Sequence, residues 1–349
     1  MLNLSGIALN KLAVHKIGNK SLEEGCLLSE RPVDLESNTL LAETLVAYFL
    51  KPFKDQPAYQ FTHPAELGMN EVFAMIAGIL EVPRLLMSRS KDLCKLLYNL
   101  SGHPKIKSGE FYVALFSGCE YNGRQTNAIG LFKSENRETY LRIEPSGGDF
   151  GISLQDGINV NKLDKGCLVI DSDKENGFIV YCVDTAAAAA SEAQFWKQQF
   201  LNLKPLNDSY NNTSNILRLT KQFVTEIDAG MEDFKKQQAG YLARSMDYFN
   251  ENENFNIKDY EKSVFREPAL IESFRHFGSA YVTRNEVDIA ERFPVSDPAV
   301  KKQSRIFKSV LKLDRNFHIY IHGNTELIER GVDPGTGKKF YKIYFDQES

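Results

Sequence analysis

The 349-residue chain predicts an α+β fold. Helical spacing of apolar residues runs through residues 39–100, the period changes to two from Glu110 to Val183, and only helical patterns follow between 191 and 292. A chain of this length is expected to form two or three domains. The pattern changes mark three: an α+β domain over 1–185 with an antiparallel meander, a helical region over 186–292, and a basic C-terminal helix and β-hairpin region over 293–349.

Taken in order, Ile7–Ile17 reads as a strand, Gly18-Asn19 as a turn, and Gly25–Leu28 as the start of its partner. Thr39–Leu50 sets Leu41, Leu45 and Tyr48 on one helical face, and Pro52 ends it. Asn70 is placed to cap a second helix that carries Phe73, Ile76 and Leu80 on one side. A third helix aligns Leu93, Leu96, Leu97 and Leu100 before Gly102 and Pro104 stop it. Phe111–Phe116, Ala128–Lys133, Thr139–Glu144, Cys167–Asp171 and Phe178–Val183 then read as successive strands. Turns at Asn122-Gly123, Ser134–Asn136 and Glu175–Gly177 punctuate them, as in an antiparallel meander.

Ala186–Ala190 reads as a helix start leading into Phe195-Trp196, because alanine is the best helix former. Ile216, Thr220, Phe223 and Ile227 make one apolar stripe, and Leu270, Phe274, Phe277 and Tyr281 another. Near the end, Pro298 suits the first turn of a helix that turns Val300, Phe307 and, if it runs that far, Val310 inward. Phe317–His322 alternates as a strand, and Leu327–Val332 and Lys339–Phe345 form a hairpin about Asp333–Gly337.

Composition bounds the function. Twenty-three Phe and fifteen Tyr are ample for a buried core, which excludes global disorder. No apolar run reaches the roughly 18 residues of a membrane span, and Met1–Leu12 lacks the features of a signal peptide, so no membrane contact is expected. Five scattered cysteines, odd in number and without a CxxC pair, point to free thiols in a reducing compartment.

Charge is the strongest local signal. The chain carries −4 overall, yet Pro298–Phe345 holds ten Lys/Arg against four Asp/Glu, so this tract is +6 and the remainder −10. An anionic partner is the first explanation for such a reversal. Lys301, Arg305, Lys308 and Lys312 recur at helical spacing and would form one basic stripe on a continuous helix, flanked by Lys302; a helix that ends near Ser309 would take Lys312 out of the stripe. Lys338, Lys339 and Lys342 lie on the hairpin, and together these eight are the candidate phosphate contacts. A second basic cluster comprises Arg84, Arg89, Lys91, Lys95, Lys105 and Lys107, with Asp92 the lone acid among them. A solvated face is the plain alternative for both groups.

Chemistry-bearing motifs are otherwise missing. Gly331–Lys339 resembles a phosphate loop, but its spacing is one residue too long, no Ser/Thr follows Lys338, and a hairpin is the context. His318 and His322 share a strand face about 13 Å apart, too far to hold one ion. The acids are dispersed and the cysteines isolated, so no catalytic residue, metal or cofactor is assigned.

A set of collinear segments is nevertheless distinctive. Ala13–Gly18, Glu24-Gly25, Tyr48–Phe53, Phe61–His63, Leu67–Glu71, His103–Gly109 and Ile129–Glu135 are followed by Phe293–Val295, Val300–Lys302, Phe317–His322 and Glu326–Val332. In order and wording the chain resembles the 37-kDa nucleoid-associated protein family of bacteria, in the form found in Bacteroidetes. The resemblance implies a cytoplasmic, nucleoid-located protein associated with double-stranded DNA. It carries over no catalytic residues and no individual DNA contacts. The expected function is sequence-tolerant DNA association through basic patches, with no enzymatic activity. The alternatives are an interaction module that joins the nucleoid through another nucleoid protein, and a metal-dependent nuclease. A homodimer would double the basic surface.

Overall fold

The computed structural model describes residues 2–185, 195–227, 234–285, 287–304, 307, 309–313, 317–321, 327–345 and 347. It is an α+β protein divided into two compact units, Met1–Leu206 and Asn207–Ser349.

The first unit is built on strands β1 (Leu2–Asn3), β2 (Ala8–Ile17), β3 (Cys26–Leu27), β4 (Ala58–Phe61), β5 (Gly109–Tyr121), β6 (Arg124–Ser134), β7 (Glu138–Ser146), β8 (Asp149–Gly157), β9 (Lys165–Ile170), β10 (Ile179–Asp184) and β11 (Leu203–Pro205). Its helices are α1 (Thr39–Leu50), α2 (Glu71–Glu81) and α3 (Leu86–Leu100), joined by a π-helical segment, Phe195–Phe200. Nine of the strands form an antiparallel sheet in the order β11-β4-β10-β9-β6-β5-β2-β3, with β1 also on β5.

Both faces of this sheet are buried. Phe111, Val113 and Leu115 of β5 join Ile129, Leu131 and Val169 in one core, while Tyr112, Ala114 and Phe116 join Ala128, Phe132, Leu168 and Ile170 in the other. That explains the near-continuous apolar runs of the central strands. Residues of α2, α3 and the π-helical segment fill the first core, and Tyr48, Phe49 and Leu50 of α1 fill the second. Phe49 stacks on Phe132 with ring centres 4.2 Å apart. The Asn70 side chain caps α2 by accepting from Phe73 N–H at 3.0 Å, and its amide donates to the carbonyls of Thr62 and Leu201.

The meander is interrupted. Thr139–Glu144, expected within it, leaves the main sheet and pairs with β8, which the sequence reading did not assign, so the meander itself runs β5-β6-β9-β10. Gly147 and Gly148, at φ 61° and 96°, close this β7–β8 arm in a two-residue turn that demands left-handed backbone at both positions. A buried ionic cluster anchors the root of the arm. Lys133 Nζ donates to the Lys107 carbonyl and to Glu135, Lys165 Nζ lies 2.9 Å from Asp184, and Asp164 accepts from the amides of Glu135 and Asn136.

The division of the chain also differs from that drawn at 185/186. Phe195, Trp196, Phe200 and Leu201 sit in the first core, and β11 pairs with β4, so the span after the alanine run belongs to the first unit. The predicted helix start at Ala186–Ala190 lies outside the described residues.

The second unit contains α4 (Ser209–Glu226), α5 (Phe234–Glu251), α6 (Ile257–Val264), α7 (Pro268–Asn285) and α8 (Asp297–Ser304). Three two-stranded sheets accompany them: β12 (Asn254–Asn256) with β13 (Arg292–Pro294), β14 (Ser309–Leu313) with β15 (Phe317–Ile321), and β16 (Ile328–Val332) with β17 (Lys339–Ile343). Phe223 packs edge-on to Phe265 and Phe274, and the buried Tyr260 hydroxyl is shared between Thr220 and Ser245 at 2.6 and 2.7 Å. Phe293, Val300 and Phe307 enter this same core, so Phe293–Ser304 and Phe307 pack with the helices before them.

One buried group makes the stability of the first unit pH-dependent. His15 accepts from Ser29 N–H at Nδ1 (3.1 Å), which leaves its proton on Nε2 to bond Ser90 Oγ (2.9 Å). Burial, then the charge of Lys91, pushes its pKa down to about 4 from 6.5. Between these values the unfolded chain binds more protons, so the contribution of neutral His15 is full above pH 6.5 and is lost as pH falls toward 4. Its ceiling is about 3 kcal/mol. Urea midpoints measured across that window should fall with pH in the parent chain and fall less in His15→Gln; equal slopes would contradict this role.

Candidate nucleic-acid interface

The basic C-terminal tract begins on α8. Ala299, Val300 and Gln303 are buried, leaving Lys301 and Lys302 exposed in the last turn, where they also complement the carbonyl end of the helix. Lys302 Nζ lies 6.0 Å from the centre of the Tyr210 ring, at the outer range of a cation–π contact.

The predicted four-residue stripe on one continuous helix does not form. The helix ends at Ser304, and Phe307 N–H closes the turn onto the carbonyls of Gln303 and Ser304. Lys312 is on β14, its backbone in register with His318 of β15. The run Ser309–Leu313 pairs as a strand with Phe317–Ile321, Val310 in register with Tyr320 and Leu311 with Ile319, so ladder pairing rather than the helical spacing of the charges sets the backbone there. Arg305 and Lys308 lie outside the described residues.

Packing adds two cations that sequence reading missed. Arg218 and Lys221, three residues apart on α4, line a hollow of about 310 Å³ with Glu226, Gln303 and Phe307. In the sequence they are isolated charges beside the Ile216–Ile227 stripe. Their i, i+3 spacing was the available signal, but only the packing of α4 on α8 puts them in one hollow with Gln303.

The β16–β17 hairpin is present as predicted, with its basic residues divided between faces. Lys339 pairs opposite Val332 and shares a face with Arg330, whereas Lys342 pairs opposite Glu329 on the other face; Lys338 precedes the strand. The ammonium of Lys342 lies 4.7 Å from the Tyr344 ring centre. Bonding to Tyr344, then the charges of Tyr344 and Glu329, raises its pKa. The turn is no anion cradle. Asp333 Oδ1 accepts from Gly335 N–H, Thr336 N–H and Thr336 Oγ1 at 3.1, 2.7 and 2.7 Å, so these amides are turned onto the protein's own carboxylate.

The second cluster is spread out. Arg84 precedes α3, Arg89, Lys91 and Lys95 lie along it, and Lys105 and Lys107 follow it, a span that includes a helix about 22 Å long. Arg89 and Lys95, six residues apart, point about 120° apart around the axis. Arg89 pairs with Asp92, Lys91 with Glu30, and Lys107 donates to Asn136. Among the described residues no group of three His, Cys, Asp or Glu is placed to hold a metal ion, and no helix is long and apolar enough to cross a membrane.

Comparison with known proteins adds one match. The sequence model of the nucleoid-associated protein YejK family matches residues 13–336. No curated protein sequence matches the chain.

Gln303 offers a test of the hollow. Its Oε1 is buried without a hydrogen-bond partner. Replacing an unsatisfied polar group by an apolar one of similar shape is neutral or stabilising. Gln303→Met should therefore leave the denaturation midpoint unchanged or raise stability by up to about 1 kcal/mol. A loss of stability would show that the amide is bonded in solution.

Proposed function

The chain belongs to the nucleoid-associated protein YejK family, and on that footing we propose that it associates with double-stranded DNA of the bacterial nucleoid through a sequence-tolerant hold on phosphates. The observation that carries the proposal is the exposed pair Lys301 and Lys302 on α8, set in a tract of net charge +6 within a chain of −4. Arg218 and Lys221 extend the basic surface along α4. The acidic remainder opposes general coating of DNA, so contact is confined to this tract and the α4 cations beside it.

Lysine ammonium groups are point charges, suited to phosphates rather than to base edges, which accounts for tolerance of sequence. Lys338, Lys339 and Lys342 assist from the hairpin, one face at a time. Arg305, Lys308 and Lys312 complete the set by their place in the sequence. The cluster from Arg84 to Lys107 takes no part in this hold, being partly paired and dispersed along α3. The family places the chain's work in chromosome organisation. A second reading, association through another nucleoid protein, is favoured by the net acidic charge.

A gel shift with purified protein and naked duplex DNA separates the two readings. Direct contact with about five phosphates gives a slope of about −4.5 in log K against log salt. Lys301→Ala with Lys302→Ala should weaken binding to all sequences alike and make that slope shallower by about 2. Binding that ignores salt, or is unchanged by both substitutions, would reject this surface. A shift seen only with a second protein present would establish the partner-mediated reading.

A further inference from the structure

We propose that the β7–β8 arm is a dimerisation surface that packs face to face on the same arm of a second copy of this chain. The register divides the arm into two unlike faces. Leu141 lies opposite Leu154, Ile143 opposite Ile152, and Pro145 opposite Phe150, so six apolar side chains share one face with no charge among them. Leu141, Ile143, Phe150, Ile152 and Leu154 are exposed by 61, 58, 71, 68 and 72%. The opposite face is polar: Tyr140 donates to Gln155, and Arg142 pairs with Glu144.

A two-stranded hairpin is marginal in water unless another surface covers its apolar face. This arm has nine residues in each strand, about 30 Å of ladder. Its root is fixed by the buried Lys133, Glu135, Asp164 and Lys165 cluster and by bonds from Asn159 and Lys162 to Glu138, so the face is held in place rather than trailing. Five large apolar side chains exposed to this degree offer on the order of 500 Å², at the upper end for a monomer's largest patch.

Charge and area select the occupant. Residues 138–157 carry four acids and one base, so phosphates and anionic lipid are repelled. A second copy needs only apolar contact, because the acids Glu138, Glu144 and Asp149 lie on the polar face and Asp156 at the end of the apolar one, bonded to Thr139. Two such faces together bury on the order of 1,000 Å², the lower limit for a specific interface. The contact is isologous, so it closes at two copies and does not propagate. It is independent of DNA binding, and its consequence for that function is to present two basic tracts at once.

Sedimentation of the full chain tests the proposal. At about 50 µM, well above the roughly micromolar Kd of a small interface, the parent should sediment at twice its 39.6 kDa mass. Ile152→Lys with Leu154→Lys should raise the dimer Kd at least about 100-fold, giving the monomer mass with an unchanged circular dichroism spectrum. Tyr140→Lys, on the polar face, should stay dimeric. Should the double variant misfold, Ile143→Lys makes the same test from β7. A parent monomeric at that concentration, or a dimer that survives folded variants of the apolar face, would overturn the proposal.

Discussion

Burial of both faces of the β5–β6–β9–β10 ladder is the constraint on which the first unit rests. An antiparallel sheet with one wet face needs a single cover, but here alternate residues of every central strand belong to two separate cores. Helix α1 must therefore pack on one side, and α2, α3 and the segment through Phe200 on the other. The same demand fixes small details. A Cβ on Gly130 would overlap the Phe132 and Phe116 rings, so glycine is required where the rings of Phe49, Phe116 and Phe132 converge. It also explains the division of the chain, since Trp196, Phe200 and Leu201 complete the first core before the polypeptide leaves at Leu206.

Charge is used differently in the interior and on the surface. At the root of the arm, burial lowers the pKa of Lys133 while Glu135 partly offsets that effect. Such a buried cluster is weak evidence for stability, because desolvation opposes the attraction between the ions. Its physical effect is geometric: Asp164 and Glu135 hold the end of β6 and the start of β9 where the arm departs. On the surface, the arm combines acids with a bare apolar face, whereas α8 and the β16–β17 hairpin carry lysines. These two surfaces differ in kind, one apolar and one basic, which is the basis of the two partners proposed above.

Much of this was legible in the residues. Helix α1 has the predicted limits, Asn70 caps α2 as its side chain suggested, and the hairpin at Asp333–Gly337 displaced a false phosphate loop. Strand β8 was missed although Phe150, Ile152 and Leu154 alternate with Gly151, Ser153 and Gln155, because flanking glycines read as loop. The basic stripe was over-extended for the opposite reason. Spacing of four lysines and arginines says where side chains would point on a helix, but pairing with the distant strand β15 sets the backbone of Ser309–Leu313, and no local spacing encodes that. Arg218 and Lys221 belong to the candidate surface only through packing, which no local pattern encodes. The collinear family segments carried the functional reading further than any single motif, and the match over residues 13–336 bears out that resemblance.

What links these features is a division of labour between an acidic chain and one basic tract. The proposed DNA contact through α8 and its neighbours requires that phosphates lie against Lys301 and Lys302, not against α3. Cross-linking of the purified full chain to duplex DNA, followed by identification of the attached peptides by mass spectrometry, reads this directly. The account predicts attachment at lysines within Pro298–Phe345. Attachment concentrated between Arg84 and Lys107, with the C-terminal tract unmodified, would contradict it.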